Sequence, residues 1–319
     1  MRWVVYGAGA VGGVVGGHLH LAGRPTTLVA RGAHLAAIRE GGLRLDTGGG
    51  THRIVAPATD TAADVGWTDD TAVLLAVKSH QAAAALDDLA AHAPPTTTVV
   101  CATNGVATES AALRRFAATY AVCVMLPATH LEPGLVVARC HPVPGILDVG
   151  RIPHGTDDRT SAIAADLRAA GFESVERDDV MAWKRRKLLM NVANGVDASF
   201  APGPDADELA EVARAEGERV LEVAGLTLVS ADDDRRRRGD VLRRRPELAP
   251  AGGSTWQSLR RGTGDTEVDY LAGEVVLLGR LHGIPTPACE AVVAATRRLT
   301  IGGGVPRSIG AGALLTRLR

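Results

Sequence analysis

Aromatic side chains are scarce in this chain. Only 3% of its 319 residues are Phe, Trp or Tyr, although 46% are hydrophobic. Any core must therefore be assembled from Val, Leu, Ile and Ala. Cysteine is sparse as well. Cys101, Cys123, Cys140 and Cys289 lie far apart, with no CxxC pair and no metal-ligand spacing. That pattern excludes a disulfide framework, gives no reason to expect a metal, and reads as buried thiols in a reducing cytoplasm. Neither sign of charge dominates. A formal net charge of −1 removes any electrostatic case for nucleic acid or an anionic membrane as partner. No apolar stretch approaches the ~20 residues of a membrane span. Arg2 before an apolar start resembles the opening of a signal peptide. The six glycines between Gly7 and Gly17 suit a helical apolar segment poorly.

The sharpest shortage is lysine. Among 35 basic residues only Lys78, Lys184 and Lys187 are lysines. Arg keeps its proton in a protein, whereas a Lys ammonium can give one up and shifts its pKa when buried. The three lysines are therefore places to look for chemistry, weighed against plain drift in an arginine-rich background. Lys78 ends an apolar run, Lys187 shares a helical stretch with Asn191 and Asn194, and Lys184 reads as a solvated neighbour.

What is present in the first half is an alternating α/β pattern. Trp3 to Tyr6 reads as a short buried strand that runs into Gly7-Ala8-Gly9-Ala10-Val11-Gly12-Gly13 and then a helix ending near Gly23. This is GxGxxG between a strand and a helix. Gly7 permits the tight turn, Gly9 lets backbone approach a pyrophosphate, and Gly12 lets helix and strand pack closely. The next strand, Thr26 to Ala30, ends on Arg31 with no acid in reach, so a 2′-phosphate is expected there and NADPH is favoured over NAD. A solvated surface role is the competing reading of Arg31. Further strands are expected at 72–77, ending at Lys78-Ser79-His80-Gln81, and at 97–102, ending at Thr103-Asn104-Gly105. Ligands of open parallel sheets bind beyond the carboxyl ends of strands, so Lys78 and Asn104 are candidates to touch nicotinamide ribose or substrate. His80 and His130 read as structural. Segments 120–126, 134–140 and 145–150 read as more strands, antiparallel, followed by a helix over 156–170 and a strand over 172–175.

From Asp178 onward the periodicity is helical, so two domains are expected, residues 1–177 and 178–319. Steps of four and three place Lys187, Asn191 and Asn194 on one helical face. Two amides beside a lysine on such a face are costly unless they serve a ligand or one another. A second helix is expected over 205–225, opened by Asp205 and Glu208. The run Arg235 to Arg238 with Arg243 to Arg245 reads as a solvated face rather than a phosphate patch. A last helix is expected over 267–281, with Glu267 in its first turn, where a carboxylate suits the helix dipole whether or not it meets a ligand.

These clusters in this order resemble the ketopantoate reductase (2-dehydropantoate 2-reductase) family over nearly the whole chain. The resemblance rests on Gly7 to Gly13, Val77 to Gln81, Asn104-Gly105, Lys187 to Asn191, Ser254-Thr255-Trp256-Gln257 and Glu267 to Tyr270. It implies an N-terminal Rossmann-type dinucleotide-binding domain followed by an all-helical C-terminal domain, with a 2-oxo acid reduced by NADPH between them. It implies Lys187 as general acid and Glu267 as its catalytic companion. Asn191, Asn194 and Ser254 would hold the substrate, and Gly7, Gly9, Gly12, Arg31, Lys78 and Asn104 the cofactor. It also implies a possible homodimer. The chain departs from the family pattern at Gly195 and Ala272, where asparagines commonly stand, and in a stretch from Ser254 to Glu267 that is one residue longer. The alternatives are a reductase of another 2-oxo acid, ketone or imine, or a non-catalytic NADPH-binding sensor.

Overall fold

The computed structural model describes residues 1–250, 252–262 and 264–318. The chain divides into two compact units. One comprises Met1–Thr103, Ala107–Lys184 and Asp232–Leu248, the other Asn104–Val106, Arg185–Ala231 and Ala249–Arg319.

In the first unit the chain runs β1 (Arg2–Tyr6), α1 (Ala10–Leu21), β2 (Thr26–Val29), α2 (Gly32–Gly41), β3 (Leu43–Thr47), β4 (Gly50–Ile54), β5 (Ala58–Thr59) and β6 (Thr71–Leu75). It continues through α3 (Ala82–His92), β7 (Thr98–Cys101), α4 (Thr108–Leu113), β8 (Thr119–Met125), β9 (Ala128–Thr129), β10 (Leu135–Ala138), β11 (Ile146–Arg151) and α5 (Asp158–Ala169). Seven strands form one sheet in the order β11-β8-β7-β6-β1-β2-β5. All neighbours are parallel except β11, which runs antiparallel to β8. The order reverses at β1, so a crevice opens beyond the carboxyl ends of β1 and β6. The central strands are buried on both faces and read as unbroken apolar runs, as a covered parallel sheet requires.

A second sheet, β4-β3-β10-β9, was not expected. Its β3–β4 hairpin carries Arg44, Thr51 and Arg53 on exposed positions, which hides the alternation of Leu43, Leu45 and Ile54 toward the core. Three other expectations are corrected. Strand β8 pairs parallel with β7, and β10 parallel with β3, so those segments are not uniformly antiparallel. The 172–175 stretch makes only isolated bridges beside β11, through Glu173 and Glu176. The helix expected to open on Asp205 and Glu208 starts instead at Pro204 behind Gly203, with no side-chain cap.

The long helix α6 (Val180–Ser199) leads into α7 (Pro204–Val223). The short α8 (Ala231–Arg238) precedes α9 (Ser254–Arg261), α10 (Ala272–His282), α11 (Pro287–Gly302) and α12 (Gly312–Leu318). The core of the second unit gathers Val192 and Val196 of α6, Leu209, Ala213 and Val220 of α7, Val275 of α10 and Val292 of α11. Gly217 lets α7 close on α6, because a Cβ there would lie 2.6 Å from Leu189 Cδ2.

The arginine run is not wholly a solvated face. Asp148, only 2% exposed on β11, accepts from Arg177 at 2.9 and 2.7 Å and from Arg237 at 2.9 and 2.7 Å. The Arg177 guanidinium also lies 3.8 Å from the centre of the Trp183 ring. Arg245 is buried, donating to the Ala138 carbonyl at 3.0 Å and to Asp46 at 3.1 Å, which fixes the 232–248 segment against β10 and β3. Arg235 and Arg236 remain exposed and pair with Asp232 and Asp233.

His18 on α1 meets the edge of Phe172, with ring centroids 5.2 Å apart. Burial pushes its imidazole down to about 4. The unfolded chain takes up a proton there near the ordinary value of about 6.5 and the folded chain does not. Stability from this site is therefore full above that pH and falls as the pH drops toward 4. His18→Leu is predicted to lose less unfolding free energy than wild type between pH 6.5 and 4.5 in urea titrations; parallel curves would contradict this.

Candidate active site

The glycine-rich turn follows directly from the burial of β1. Trp3, Val4 and Val5 are fully buried, and the chain then reverses at Gly7 with φ of 100°, a conformation that favours glycine. A Cβ at Gly12 would lie 2.1 Å from the Gly7 carbonyl oxygen and 2.9 Å from Ala76 Cβ, so α1 can approach β1 and β6 only with glycine there. Gly9 differs. Nothing lies nearer its missing Cβ than His130 Nδ1 at 3.8 Å, so the turn stays open at the position where a pyrophosphate would approach. The first turn of α1 carries no acidic residue, and its N-terminus favours an anion. This cradle fits a dinucleotide.

Arg31 occupies the N-cap position of α2, exposed, with its side chain beside the Tyr6 hydroxyl. Burial, and then the Asp88 carboxylate that accepts from that hydroxyl at 2.6 Å, push Tyr6 up to about 12. No carboxylate ends β2; the strand gives way to Ala30 and Arg31. Lys78 follows Ala76 and Val77, the residues packed on Gly7, and precedes a short 3-10 turn, Ser79–Gln81. The structure thus gathers Gly7, Gly9, Gly12, Arg31 and Lys78 around the crevice of the first unit.

The second unit gathers the rest. Lys187 Nζ donates to Asn104 Oδ1 at 2.6 Å. Asn104 reaches it because Gly105, with φ of 75°, turns the chain against the Tyr270 carbonyl, only 2.6 Å from a Cβ placed at Gly105. One and two turns along the face from Lys187, Asn194 Nδ2 donates weakly to Asn191 Oδ1 at 3.4 Å. Asn191 Nδ2 and Ser254 Oγ are buried and have no hydrogen-bond partner among the described residues. Buried polar atoms left in that state are costly, and a bound acceptor would relieve both. A Cβ at Gly253 would lie 3.1 Å from Asn194 Oδ1, so the start of α9 rests on the amide face of α6.

Glu267 is buried, 6% exposed, but it is not in the first turn of a helix as expected. It precedes a 3-10 turn, Val268–Tyr270, and the α-helix begins only at Ala272, because Leu271 at φ −115°, ψ −93° interrupts the helical path. Two residues were missed. Asp197 accepts from the Gly253 N–H at 3.0 Å and from Arg307 at 2.6 Å, fixing the approach to Ser254. Asp197 extends the Lys187–Asn191–Asn194 stripe by three residues, a signal that was readable. Arg307 sits in an irregular segment and offered none.

Lys184 is the plainest correction. It is 3% exposed rather than solvated, 2.9 Å from Glu109 Oε1 and 2.8 Å from the Thr103 carbonyl.

Comparisons with known proteins show the family. The family model "Ketopantoate reductase PanE/ApbA" matches residues 3–154, and "Ketopantoate reductase PanE/ApbA C terminal" matches residues 179–300. A 2-dehydropantoate 2-reductase of Mesorhizobium japonicum is 30% identical over 94% of this chain and 98% of its own length. The chain belongs to the ketopantoate reductase family. It is an oxidoreductase with the Rossmann-type and helical parts of that family. Among solved structures, a PanE/ApbA family ketopantoate reductase from Ralstonia eutropha JMP134 superposes with a TM-score of 0.80 at 27% identity, covering 95% of this chain and 99% of that one. D-mandelate dehydrogenase, solved with NADH and anilino(oxo)acetate, shares the fold at a TM-score of 0.81 and 22% identity, covering 95% and 99%.

The two family departures have a packing reason. A Cβ at Gly195 would lie 2.6 Å from Val292 Cγ1, and Ala272 is 1% exposed in the helical core. In this ketopantoate reductase family member a side chain at Gly195 would press on Val292, and Ala272 faces the core. Because Ser254 Oγ has no partner to lose, Ser254→Ala is predicted to leave stability within about 0.5 kcal/mol of wild type. A loss above ~1 kcal/mol in chemical denaturation would mean that the hydroxyl is structural.

Proposed function

We propose that this chain reduces a 2-oxo acid to the 2-hydroxy acid with NADPH, ketopantoate to pantoate first. The observation that carries the reading is the 2.6 Å hydrogen bond from Lys187 to Asn104, on the helix face that also bears Asn191 Nδ2, buried and without a partner among the described residues. When bound, the dihydronicotinamide supplies a hydride. Reduction of a ketone leaves negative charge on its oxygen, which the Lys187 ammonium can stabilise before donating a proton to it. Asn104 holds that ammonium through an uncharged acceptor, so it fixes the donor without competing for the proton as a carboxylate would.

Asn191 and Ser254 supply donors for the substrate carboxylate or hydroxyl, Asn194 orients Asn191, and buried Glu267 accepts from a substrate hydroxyl. On the cofactor side, Gly7, Gly9 and Gly12 cradle the pyrophosphate and Arg31 meets the 2′-phosphate. Lys78 lies beyond β6, toward the nicotinamide ribose. We keep the boundary between cofactor and helical domains at 177/178 and propose a homodimer, which sedimentation velocity tests. Four buried cysteines, none in a disulfide among the described residues, support a reducing compartment, the cytoplasm in our reading.

A second reading keeps the chemistry and changes the acceptor. At Gly195 and Ala272 this chain lacks two amides that the family commonly carries, which favours a 2-oxo acid with a less polar side chain. The test is NADPH oxidation with a panel of 2-oxo acids, ketones and imines. Ketopantoate is predicted to give the highest kcat/KM. Preference for an apolar 2-oxo acid by tenfold or more supports the second reading. No turnover on any acceptor, with NADPH still bound, overturns both in favour of a sensor.

A further inference from the structure

Two imidazoles beside the glycine-rich turn are not used by the reading above. His34, on α2, makes two hydrogen bonds with backbone. Its Nε2 lies 2.7 Å from the Ala8 carbonyl oxygen, within the turn, and its Nδ1 lies 2.9 Å from the Gly134 N–H. The partners fix the tautomer. An N–H can only donate, so Nδ1 is the bare, accepting nitrogen; a carbonyl can only accept, so Nε2 carries the hydrogen. His34 is thus a neutral bridge between the turn and the segment before β10. Burial, which holds its pKa below the ordinary value, agrees with that form. Gly134 is held close on the same helix, since a Cβ there would lie 2.9 Å from Ala37 Cβ.

The second ring is His130. It lies against His34, tilted by 46° with centroids 4.1 Å apart, and its Nδ1 is the nearest atom, at 3.8 Å, to the missing Cβ of Gly9. Gly9 is the one glycine of the turn left open to a ligand. In a trans peptide the carbonyl of one residue and the N–H of the next point in opposite directions. Drawing the Ala8 carbonyl toward His34 therefore turns the Gly9 N–H away from it.

We infer that His34 is a positioning residue that sets the Ala8–Gly9 peptide for a dinucleotide pyrophosphate, and that His130 is a further contact for that pyrophosphate beside Gly9. The inference rests on the NADPH reading of the site. His34 acts on the peptide plane through the Ala8 carbonyl and is itself held by the Gly134 N–H. His130 presents its imidazole to the bound diphosphate beside Gly9. Together they bear on the diphosphate and leave the 2′-phosphate to Arg31, so their effect is the same for both nicotinamide dinucleotides.

Equilibrium binding tests this without turnover. Fluorescence titrations with NADPH, NADH and adenosine 2′-monophosphate, which has no pyrophosphate, are compared for wild type, His34→Phe, His34→Gln and His130→Ala. His34→Phe keeps a ring against His130 and loses both hydrogen bonds; about tenfold weaker binding of NADPH and of NADH is expected. His130→Ala is expected to weaken both about threefold or more. Adenosine 2′-monophosphate binding should stay within about twofold throughout. His34→Gln, which can donate and accept, should recover most of the loss, and it serves if the Phe variant does not fold. Unchanged dinucleotide binding in His34→Phe and His130→Ala, or an equal loss for the monophosphate, overturns the inference. Failure of the wild-type protein to bind NADPH overturns instead the function on which it rests.

Discussion

An ammonium group that must give up a proton has to be held by something that does not itself neutralise it. In the function proposed for this chain the Lys187–Asn104 hydrogen bond meets that requirement, and much of the helical unit bears on it. Lys187 has its place because Leu188, Leu189 and Val192 are buried on the other sides of α6, which fixes the rotation of the helix. Asn104 has its place because Gly105 adopts a left-handed turn against the Tyr270 carbonyl. The three residues Asn104–Val106 accordingly belong to the helical unit, although the strand before them belongs to the sheet. The buried Glu267 begins the turn that ends at Tyr270, so the same contact joins acid, amide and lysine into one construction.

Charge inside the first unit follows a second rule. Burying an ion is costly unless it is paired, and breaking such a pair leaves an uncompensated charge worth about 3–5 kcal/mol. Asp148 satisfies the rule with two guanidinium groups, and Lys184 with Glu109 and the Thr103 carbonyl. The three lysines therefore have three environments: one at the end of β6, one in a buried ion pair, and one on a polar helix face.

Much of this was legible in the sequence, for reasons that are local. The glycine turn sits between a short apolar strand and a helix, and Gly7 and Gly12 are demanded by contacts within a few residues or with the adjacent strand. The stripe Lys187, Asn191, Asn194 follows from helical periodicity alone. What escaped depends on distant partners. Lys184 and Glu109 are 75 positions apart, and nothing near either announces the pair. Arg237 finds Asp148 across 89 positions, and Arg245 finds Asp46 across 199. The β3–β4 hairpin was missed because its outward side chains are polar or charged and its inward ones few. The start of the helix after Glu267 was misplaced because an irregular residue at Leu271 separates a 3-10 turn from the α-helix, a backbone event that side-chain pattern does not encode.

The central claim is that Lys187 gives a proton rather than merely a charge. Lys187→Arg tests it, because the guanidinium keeps the positive charge and a donor for Asn104 but cannot be deprotonated. Single-turnover rates with saturating NADPH and substrate should fall by about 10²-fold or more. The NADPH dissociation constant should stay within about twofold of wild type. A single-turnover rate equal to that of the wild-type protein would remove proton donation by Lys187 from the mechanism.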